Sequence, residues 1–276
     1  MTNIKLIASD LDHTLLNSKS GVNEFTKEVL NQAMDNEILF VPCSARTSNL
    51  IPTWFRENKK IKYLVTSNGA VVVDNITQEQ LLVNAIHADD AIKMLDVVDD
   101  INPYWTIDCK GYLYSNRKVL RDHEKIGVTG DYYADIQKTR IFIDDCREVL
   151  EGEGNIVRKI HFVTDNQEMK EELRKKLEQF SFLRITSSHP KNFEITDPHA
   201  TKGDAIAFII KREWLKKEDT IAFGDNDNDI EMFKNVGHGY AVEVSTKGLQ
   251  EVAYQVIGKC EDEALAHFVN DNILQK

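Results

Sequence analysis

Near its N-terminus the sequence reads Ile4-Lys5-Leu6-Ile7-Ala8-Ser9-Asp10-Leu11-Asp12-His13-Thr14-Leu15. The short apolar run Ile4–Ser9 predicts a buried strand. Apolar residues at helical spacing over 25–34, followed by a second apolar run over 38–43, extend this to a β-α-β unit. Ligands of open α/β sheets bind beyond the carboxyl ends of the parallel strands. We therefore expect the carboxylates of Asp10 and Asp12 to lie together in a ligand-binding crevice.

The C-terminal third repeats this alternation of strands and helices. The predicted elements are a helix over Lys202–Lys211, a strand over Thr220–Phe223, a helix near Asp229–Lys234, a strand over Tyr240–Val244 and a final helix from Asp262. Strands that alternate with helices of this length predict a parallel sheet that is covered on both faces.

The middle of the chain follows a different pattern. Its predicted helices are Ala88–Asp99 and Gln167–Phe180, and its predicted strands are Tyr104–Asp108, Tyr112–Ser115, Ile156–Val163 and Phe182–Thr186. Helices mixed with hairpin strands predict an α+β unit, in which 151–155 forms a turn-rich loop. The expected fold class is α/β, with a doubly wound, Rossmann-like parallel-sheet core over 1–82 and 189–276 and an inserted α+β domain over 83–188.

The composition limits the classes of partner. Lys and Arg number 34 against 45 Asp and Glu, so the net charge is −11, which disfavours nucleic acid and anionic membranes. The longest apolar stretches are far shorter than the roughly 20 residues that cross a bilayer. The four cysteines have no metal-ligand spacing, and no signal peptide is evident. We expect a cytoplasmic protein with reduced cysteines, present as a monomer or weak homo-oligomer.

A second acidic motif, Gly224-Asp225-Asn226-Asp227-Asn228-Asp229, follows another apolar strand. Its alternating carboxylates are similar to the start of a calcium-binding EF-hand loop, but the positions that need Gly and Glu hold Ile230 and Val236. Like charges gathered at one edge of a sheet repel by several kcal/mol at roughly 4 Å unless a cation joins them. The two acidic motifs together predict a Mg²⁺ site.

Two further residues gain meaning beside these carboxylates. Ser44 places a hydroxyl at the end of the predicted strand over 38–43, and Lys202 opens a predicted helix. Taken singly, a serine here is an ordinary helix N-cap and a lysine is an ordinary solvated charge. Together they would offer a phosphate group one neutral donor and one cation.

Four sequence features resemble the motifs of the haloacid dehalogenase superfamily of aspartate-nucleophile phosphatases. In chain order they are Asp10 with Asp12, then Ser44, Lys202 and the acidic motif over 224–229. The resemblance is closest to the Cof-type branch, in which a large α/β cap is inserted between the second and third motifs. Three segments carry it, namely Cys43-Ser44-Ala45-Arg46, Ser67-Asn68-Gly69-Ala70 and Lys202-Gly203-Asp204-Ala205. The sequence departs from the usual pattern at His13, Ala45 and Glu263, where the branch commonly has glycine.

The resemblance implies a set of roles. Asp10 would attack phosphorus to form an aspartyl-phosphate, and Asp12 would protonate the leaving alkoxide and then activate water. Mg²⁺ would be held by the carboxylates of Asp10 and Asp225 and the backbone carbonyl of Asp12, with Asp229 close by. The residues expected to bind phosphate or substrate are Ser44, Lys202, Asn228, Arg46 and Asn68.

The function expected from these roles is phosphatase action on a small phosphate ester, such as a sugar phosphate. A phosphomutase, or a catalytically silent regulator that binds a phosphorylated ligand, would use the same residues. A receiver-type phospho-switch is disfavoured because it is shorter and has no acidic motif after its lysine. The inserted domain would cover the site as a lid and select the substrate, with candidate contacts at Trp105, Arg117, Lys159 and His161.

Overall fold

The computed structural model describes residues 3–17, 21–152, 155–164, 166–186 and 191–275. The strands are β1 (Leu6–Asp10), β2 (Leu39–Cys43), β3 (Tyr63–Thr66), β4 (Val71–Asp74), β5 (Gln80–Val83), β6 (Ile86–His87), β7 (Tyr104–Cys109), β8 (Tyr112–Asn116), β9 (Arg140–Ile143), β10 (Ile156–Val163), β11 (Arg184–Thr186), β12 (Asn192–Thr196), β13 (Thr220–Gly224), β14 (His238–Ala241) and β15 (Gln255–Val256). The α-helices are α1 (Glu24–Asp35), α2 (Thr53–Glu57), α3 (Ala88–Val98), α4 (Val119–Asp122), α5 (Gly130–Thr139), α6 (Arg147–Leu150), α7 (Gln167–Leu177), α8 (Lys202–Arg212), α9 (Ile230–Asn235), α10 (Lys247–Val252) and α11 (Ala264–Val269).

The chain divides into two compact units. The first unit comprises Met1–Val83 and His199–Lys276, and the second comprises Asn84–Pro198. The strand order of the first unit is β15-β14-β13-β1-β2-β3-β4-β5. Strand β1 runs parallel to both β2 and β13, whereas β3, β4 and β5 are joined as antiparallel neighbours at one edge.

Both faces of the first sheet are covered. Successive residues of β1 point to opposite faces, so Ile7 packs in the apolar cluster that contains α1 and α11, while Leu6 and Ala8 pack in the cluster that contains α8 and α9. All five residues of β1 are buried, which explains why the strand reads as a continuous apolar run. The predicted doubly wound α/β fold is confirmed.

The second unit is built on a sheet with the strand order β11-β12-β10-β7-β8-β9, and β6 pairs with β10. One face of this sheet packs on α3, α6 and α7 through side chains that include Ile107, Ile160 and Phe193. Alternate residues of the same strands point to the other face and are more polar. The segment over 117–150, for which the sequence made no prediction, contains α4, α5, β9 and α6.

The second expected domain boundary differs from the structure. The expected break at 188/189 lies outside the described residues, and the division between the two units falls between Pro198 and His199. The cause is β12, which pairs antiparallel with β10 and so belongs to the second unit rather than to the core. Alternating apolar residues reveal a strand but not its partner, so this assignment needed the tertiary structure.

Smaller differences concern the ends of elements. The strand expected over Tyr240–Val244 runs over His238–Ala241, and the last α-helix begins at Ala264 rather than Asp262. None of the described helices is both long enough and apolar enough to cross a membrane.

Candidate active site

The acidic motifs lie at the carboxyl ends of neighbouring strands. Strand β1 is bonded on one side to β2 and on the other to β13, with Asp10 level with Cys43 and Ser9 level with Phe223. The residues that follow these strands therefore meet at one edge of the sheet. Asp10, Ser44 and Asp225 are brought together there by strand order, although they are far apart in sequence.

Lys202 lies at the centre of this edge. Its side chain is 0% exposed, and its Nζ is 2.5 Å from Asp10 Oδ1 and 2.7 Å from Asp229 Oδ1. Helix α8 begins at this lysine because the Thr201 hydroxyl accepts a hydrogen bond from the Asp204 amide. The cap fixes the first turn of the helix and so places the ammonium between two carboxylates.

Both carboxylate oxygens of Asp229 accept hydrogen bonds. While Oδ1 accepts from Lys202, Oδ2 accepts from the backbone amides of Asp225 and Asn226 at 3.1 Å each. The loop can fold back in this way because Gly224 has no side chain, since a Cβ there would lie 2.6 Å from Asp229 Cγ. Asp229 therefore orients both the lysine and the loop that carries Asp225.

The cluster carries an excess of negative charge. Asp10, Asp225 and Asp229 each offer a carboxylate oxygen within 4.8 Å of the others, and Lys202 is the cation that bonds to two of them. Asp10 Oδ2 is buried and has no hydrogen-bond partner. With all four groups ionised, two negative charges are uncompensated in a buried site, which is costly without a counter-ion.

The pKa values reflect the same excess of negative charge. Burial raises the pKa of Asp10 to about 8, and the nearby Asp229 and Asp225 add to this although Lys202 opposes it. Burial and Asp229 also raise the pKa of Asp225. The pKa of Lys202 is raised by its two carboxylate partners, despite burial. An orphaned buried oxygen beside crowded carboxylates fits a divalent cation with oxygen ligands, and Asp10, Asp225 and Asp229 are the side chains that could hold it.

Asp12 does not share this cluster through its carboxylate. Its side chain is 40% exposed and pairs with Arg46, which donates from Nη2 to Oδ1 at 2.6 Å and from Nε to Oδ2 at 3.0 Å. A third Arg46 donor, Nη1, bonds the Leu50 carbonyl at 3.2 Å. Arg46 therefore orients the second carboxylate, and the expectation that Asp10 and Asp12 line one crevice stays a prediction.

Hydrogen bonds connect the loops that carry Ser44, Asn68 and Asn228 beside the carboxylate cluster. The buried Ser44 accepts a hydrogen bond from the Arg46 amide, and its carbonyl accepts one from the Asn68 amide. Asn228 Nδ2 donates to Asn68 Oδ1 at 2.9 Å, whereas Asn228 Oδ1 is buried without a partner. Gly69 has φ +95° and a Cβ there would lie 2.1 Å from Thr201, so only glycine allows this close approach.

The three departures from the usual glycines have different local consequences. His13 adopts φ 64° and Glu263 adopts φ 53°, both in the left-handed region that favours glycine, whereas Ala45 does not. The Glu263 side chain binds helix α1, since its Oε2 accepts hydrogen bonds from the Thr26 amide at 3.1 Å and from the Thr26 hydroxyl at 2.6 Å. These bonds offset the cost of its left-handed backbone conformation.

The four candidates in the second unit separate onto two faces. Trp105 is 8% exposed and packs in the apolar cluster on the helix-covered face. Lys159 and His161 share the opposite face, where Lys159 pairs with Glu194 at 3.4 Å and the Asn192 side-chain amide lies 3.1 Å from His161 Nε2. Arg117 is exposed and pairs with Asp144. The sequence analysis missed Arg140, which lies on the same face as His161 and follows an unpredicted helix.

Protonation of His161 is expected to destabilise the protein. Burial, Lys159 and Arg140 lower the pKa of His161 to about 4, although Glu194 opposes this. Between about pH 6.5 and pH 4 the unfolded chain binds a proton that the folded state does not, so stability falls as pH falls. We expect a loss on the order of 1 kcal/mol, since the residue as a whole is only partly buried.

Chemical denaturation of the wild type and His161→Gln between pH 4 and 7.5 measures this loss as the difference between their two profiles. The exposed His87 supplies the matched control, His87→Gln. Parallel profiles for wild type and His161→Gln across the whole range would contradict the prediction.

Residues 7–269 match the family described as haloacid dehalogenase-like hydrolase. A putative phosphatase of Haemophilus influenzae is 27% identical over 268 residues, which cover 95% of each chain. The 5-amino-6-(5-phospho-D-ribitylamino)uracil phosphatase YcsE of Bacillus subtilis is 28% identical over 282 residues, with 96% of each chain covered. A solved haloacid dehalogenase-like hydrolase from B. subtilis superposes with a TM-score of 0.80 at 26% identity and covers 98% of this chain and 100% of its own. The resemblance predicted from the motifs is confirmed, and the chain belongs to the haloacid dehalogenase-like hydrolase family.

Proposed function

We propose that this phosphoric monoester hydrolase removes the phosphoryl group from a small phosphorylated metabolite, in a Mg²⁺-dependent reaction that passes through an aspartyl-phosphate. The observation that carries the proposal is the buried cluster at the strand ends, where Lys202 bridges Asp10 and Asp229 and one Asp10 oxygen has no partner. A carboxylate oxygen without a hydrogen-bond partner is free to bind a cation or attack phosphorus.

In this proposal Asp10 is the nucleophile. A bond forms between an Asp10 carboxylate oxygen and phosphorus as the bond from phosphorus to the ester oxygen breaks. Asp12 gives a proton to the leaving alkoxide, and in the second step it takes a proton from the water that attacks the aspartyl-phosphate. The partial exposure of Asp12 supports this role, because a proton donor must reach a group that enters from solvent.

The carboxylates of Asp10 and Asp225, with the Asp12 carbonyl and with Asp229 nearby, would hold the Mg²⁺. When bound, the ion supplies the positive charge that lets a phosphate ester approach a carboxylate. Asp229 contributes mainly by orientation, because both of its oxygens already accept hydrogen bonds.

Lys202 and Ser44 would receive the charge that develops on the phosphoryl oxygens. Both are buried, and Ser44 is held by the Arg46 amide while Lys202 is held by the carboxylates of Asp10 and Asp229, so little reorganisation is needed when substrate binds. Asn68 and Asn228 are bonded to each other at the same edge, where they and Arg46 would contact the substrate.

A sugar phosphate or a related metabolite is the substrate class that we favour. One relative, at 28% identity, is a phosphatase of a compound with a phosphorylated ribityl group. In our proposal the second unit, Asn84–Pro198, acts as the cap that selects among such compounds.

Phosphate release from a panel of phosphorylated metabolites tests the function. We expect the purified protein to release phosphate with Mg²⁺, and the rapidly quenched Asp12→Asn protein to carry one added phosphoryl mass on Asp10. No turnover of any ester with Mg²⁺ present would refute the proposed function. Turnover with no covalent intermediate in the wild type or in Asp12→Asn would refute only the aspartyl-phosphate route and leave the phosphatase function standing.

Arg46 offers a separate test of the role of Asp12. The bidentate pair orients the Asp12 carboxylate, so Arg46→Met is expected to impair proton transfer to the leaving group. We expect kcat for an alkyl ester such as glycerol 3-phosphate to fall at least about tenfold, whereas kcat for p-nitrophenyl phosphate, whose leaving group needs no proton, falls far less.

Arg56→Met is the matched control, because Arg56 lies in α2 and, among the described residues, donates to the Ile51 carbonyl and the Thr53 hydroxyl and not to Asp12. Arg46→Lys should recover part of the alkyl-ester rate by keeping the charge. Equal losses on both esters in Arg46→Met would show that Arg46 supports binding or the fold rather than Asp12.

A further inference from the structure

The segment that carries Asp12 is a closed turn. The amides of Leu15 and Leu16 donate hydrogen bonds to the Leu11 carbonyl, at 3.0 Å and 2.8 Å. We call residues 11–16 the Asp12 turn. The side chains of Leu11, Leu15 and Leu16 are buried in the apolar cluster that contains α1 and α11. The position of the Asp12 carboxylate therefore depends on how firmly this turn is held.

Cys260 binds the last residue of the Asp12 turn. Its thiol donates a hydrogen bond to the Leu16 carbonyl at 3.1 Å, across 244 positions of sequence. Cys260 is buried, and burial raises its pKa to about 12, so the thiol keeps the proton that it donates. Leu16 is buried as well, and a buried acceptor that loses its donor is destabilised.

Glu263 binds the start of α1, the helix that follows the Asp12 turn in the chain. The N-cap residue Asn23 makes no capping bond with its side chain to any described residue, and its Oδ1 accepts from Asn17 Nδ2 at 2.6 Å. Glu263 supplies the cap instead, because its Oε2 accepts from the amide and the hydroxyl of Thr26, the third residue of the helix. A carboxylate at a helix N-terminus also interacts favourably with the helix dipole.

The loop that carries Cys260 and Glu263 is itself anchored. Helix α11 begins at the next residue, and the ring of its His267 lies 4.8 Å from the ring of Phe25 in α1. Glu263 has φ 53°, a conformation that glycine adopts at lower cost. The contact that offsets this cost is the one with α1, so the side chain has a role that glycine could not fill.

We propose that Cys260 and Glu263 are positioning residues, which hold the Asp12 turn where Asp12 can transfer its proton to the leaving group. We call these two residues the clamp. The inference rests on the proposed function, and the clamp acts through the turn rather than by contact with the substrate. Arg46 orients the Asp12 carboxylate, whereas the clamp holds the backbone of the same turn.

Proton transfer is sensitive to such support. The donor and acceptor oxygens must come within roughly 3 Å of each other. A displacement of about 1 Å, caused by a change away from the reacting atoms, can lower a rate on the order of a hundredfold. A loosened Asp12 turn should therefore slow the esters whose leaving group needs a proton and spare those whose leaving group does not.

The ratio of two rates tests the clamp. Cys260→Ala removes the donor to Leu16, and Glu263→Gly removes the cap of α1 while it eases the left-handed backbone. We expect each change to lower kcat for the best alkyl ester of the metabolite panel at least about fivefold, and kcat for p-nitrophenyl phosphate far less. A general loss of folded protein would lower both rates alike and leave their ratio unchanged.

Conservative variants and matched controls separate positioning from packing. Cys260→Ser keeps a donor and should recover most of the alkyl-ester rate. Cys146→Ala removes a buried cysteine of the second unit, and Glu261→Gly removes an exposed carboxylate of the same loop as the clamp. Both controls should keep the wild-type ratio. If Glu263→Gly does not fold, Glu263→Gln keeps an acceptor without the charge and should lower the ratio by a smaller factor.

Hydrogen exchange gives a readout that needs no turnover. The amides of Leu15 and Leu16 are bonded within the Asp12 turn, so their exchange reports how often the turn opens. We expect at least about tenfold faster exchange of these amides in Cys260→Ala and in Glu263→Gly than in the wild type. Cys146→Ala and Glu261→Gly should exchange there at the wild-type rate.

The clamp and the proposed function fail in different ways. The clamp is overturned if the ratio of alkyl to aryl rates stays at its wild-type value in Cys260→Ala and Glu263→Gly, or if exchange in the Asp12 turn does not change. Absence of phosphate release by the wild type would reject the proposed function, and the exchange rates would still decide whether the clamp holds the turn.

Discussion

Replacing Asp10 by Asn is expected to lower the rate of phosphate release by more than a hundredfold. The amide keeps the size of the side chain but cannot attack phosphorus, and a hundredfold loss corresponds to about 3 kcal/mol of transition-state stabilisation. The fold should remain intact, because burial already raises the pKa of Asp10 to about 8 and so penalises the charged form. Steady-state kinetics on p-nitrophenyl phosphate, with a thermal unfolding curve for each protein, make the measurement.

Asp227→Asn is the matched control for this change. Asp227 lies in the same acidic motif, but its carboxylate accepts from the Thr246 hydroxyl and is not a member of the three-carboxylate cluster. It should keep most of the wild-type rate. Residual activity of Asp10→Asn above about 1% of the wild type would mean that Asp10 is not the nucleophile.

Removal of divalent cations is expected to abolish phosphate release, and addition of Mg²⁺ should restore it. The reason is the excess negative charge around Asp10 and Asp225, which repels an anionic ester until a cation offsets it. Asp225→Asn should require a much higher Mg²⁺ concentration for half-maximal rate, because a carboxylate ligand is lost. Rates measured against free Mg²⁺ after exhaustive chelation provide the test.

Stability supplies an independent readout of the same site. In the chelated protein Asp225→Asn should raise the free energy of unfolding by about 1 kcal/mol, since it removes one of the crowded carboxylates. Mg²⁺ should stabilise the wild type by about 2.7 kcal/mol at a hundred times its Kd, and the variant by less. Full activity after chelation, or a wild type whose unfolding does not respond to Mg²⁺, would contradict the presence of the metal site.

The local signals in the sequence were sufficient for most of the first unit. Apolar runs predicted β1, β2 and β13 nearly to the residue, because strands buried on both faces have few polar positions. The rule that ligands meet the carboxyl ends of parallel strands then grouped Asp10, Ser44 and Asp225 without any coordinates. Lys202 joined them through the family resemblance, and the structure locates its ammonium between Asp10 and Asp229.

What the sequence by itself determined was which residues form the strands and which chemistry their ends carry, because hydrophobic periodicity and turn residues act over a few neighbours. Only the tertiary structure decided that β12 belongs to the second unit, that Asp12 turns to Arg46 and that Arg140 meets Thr106 and Ser115. Each of these is a pairing between segments that are distant in sequence. Such pairings depend on which strand edges and side chains fit together when the chain packs, and no local pattern records that choice.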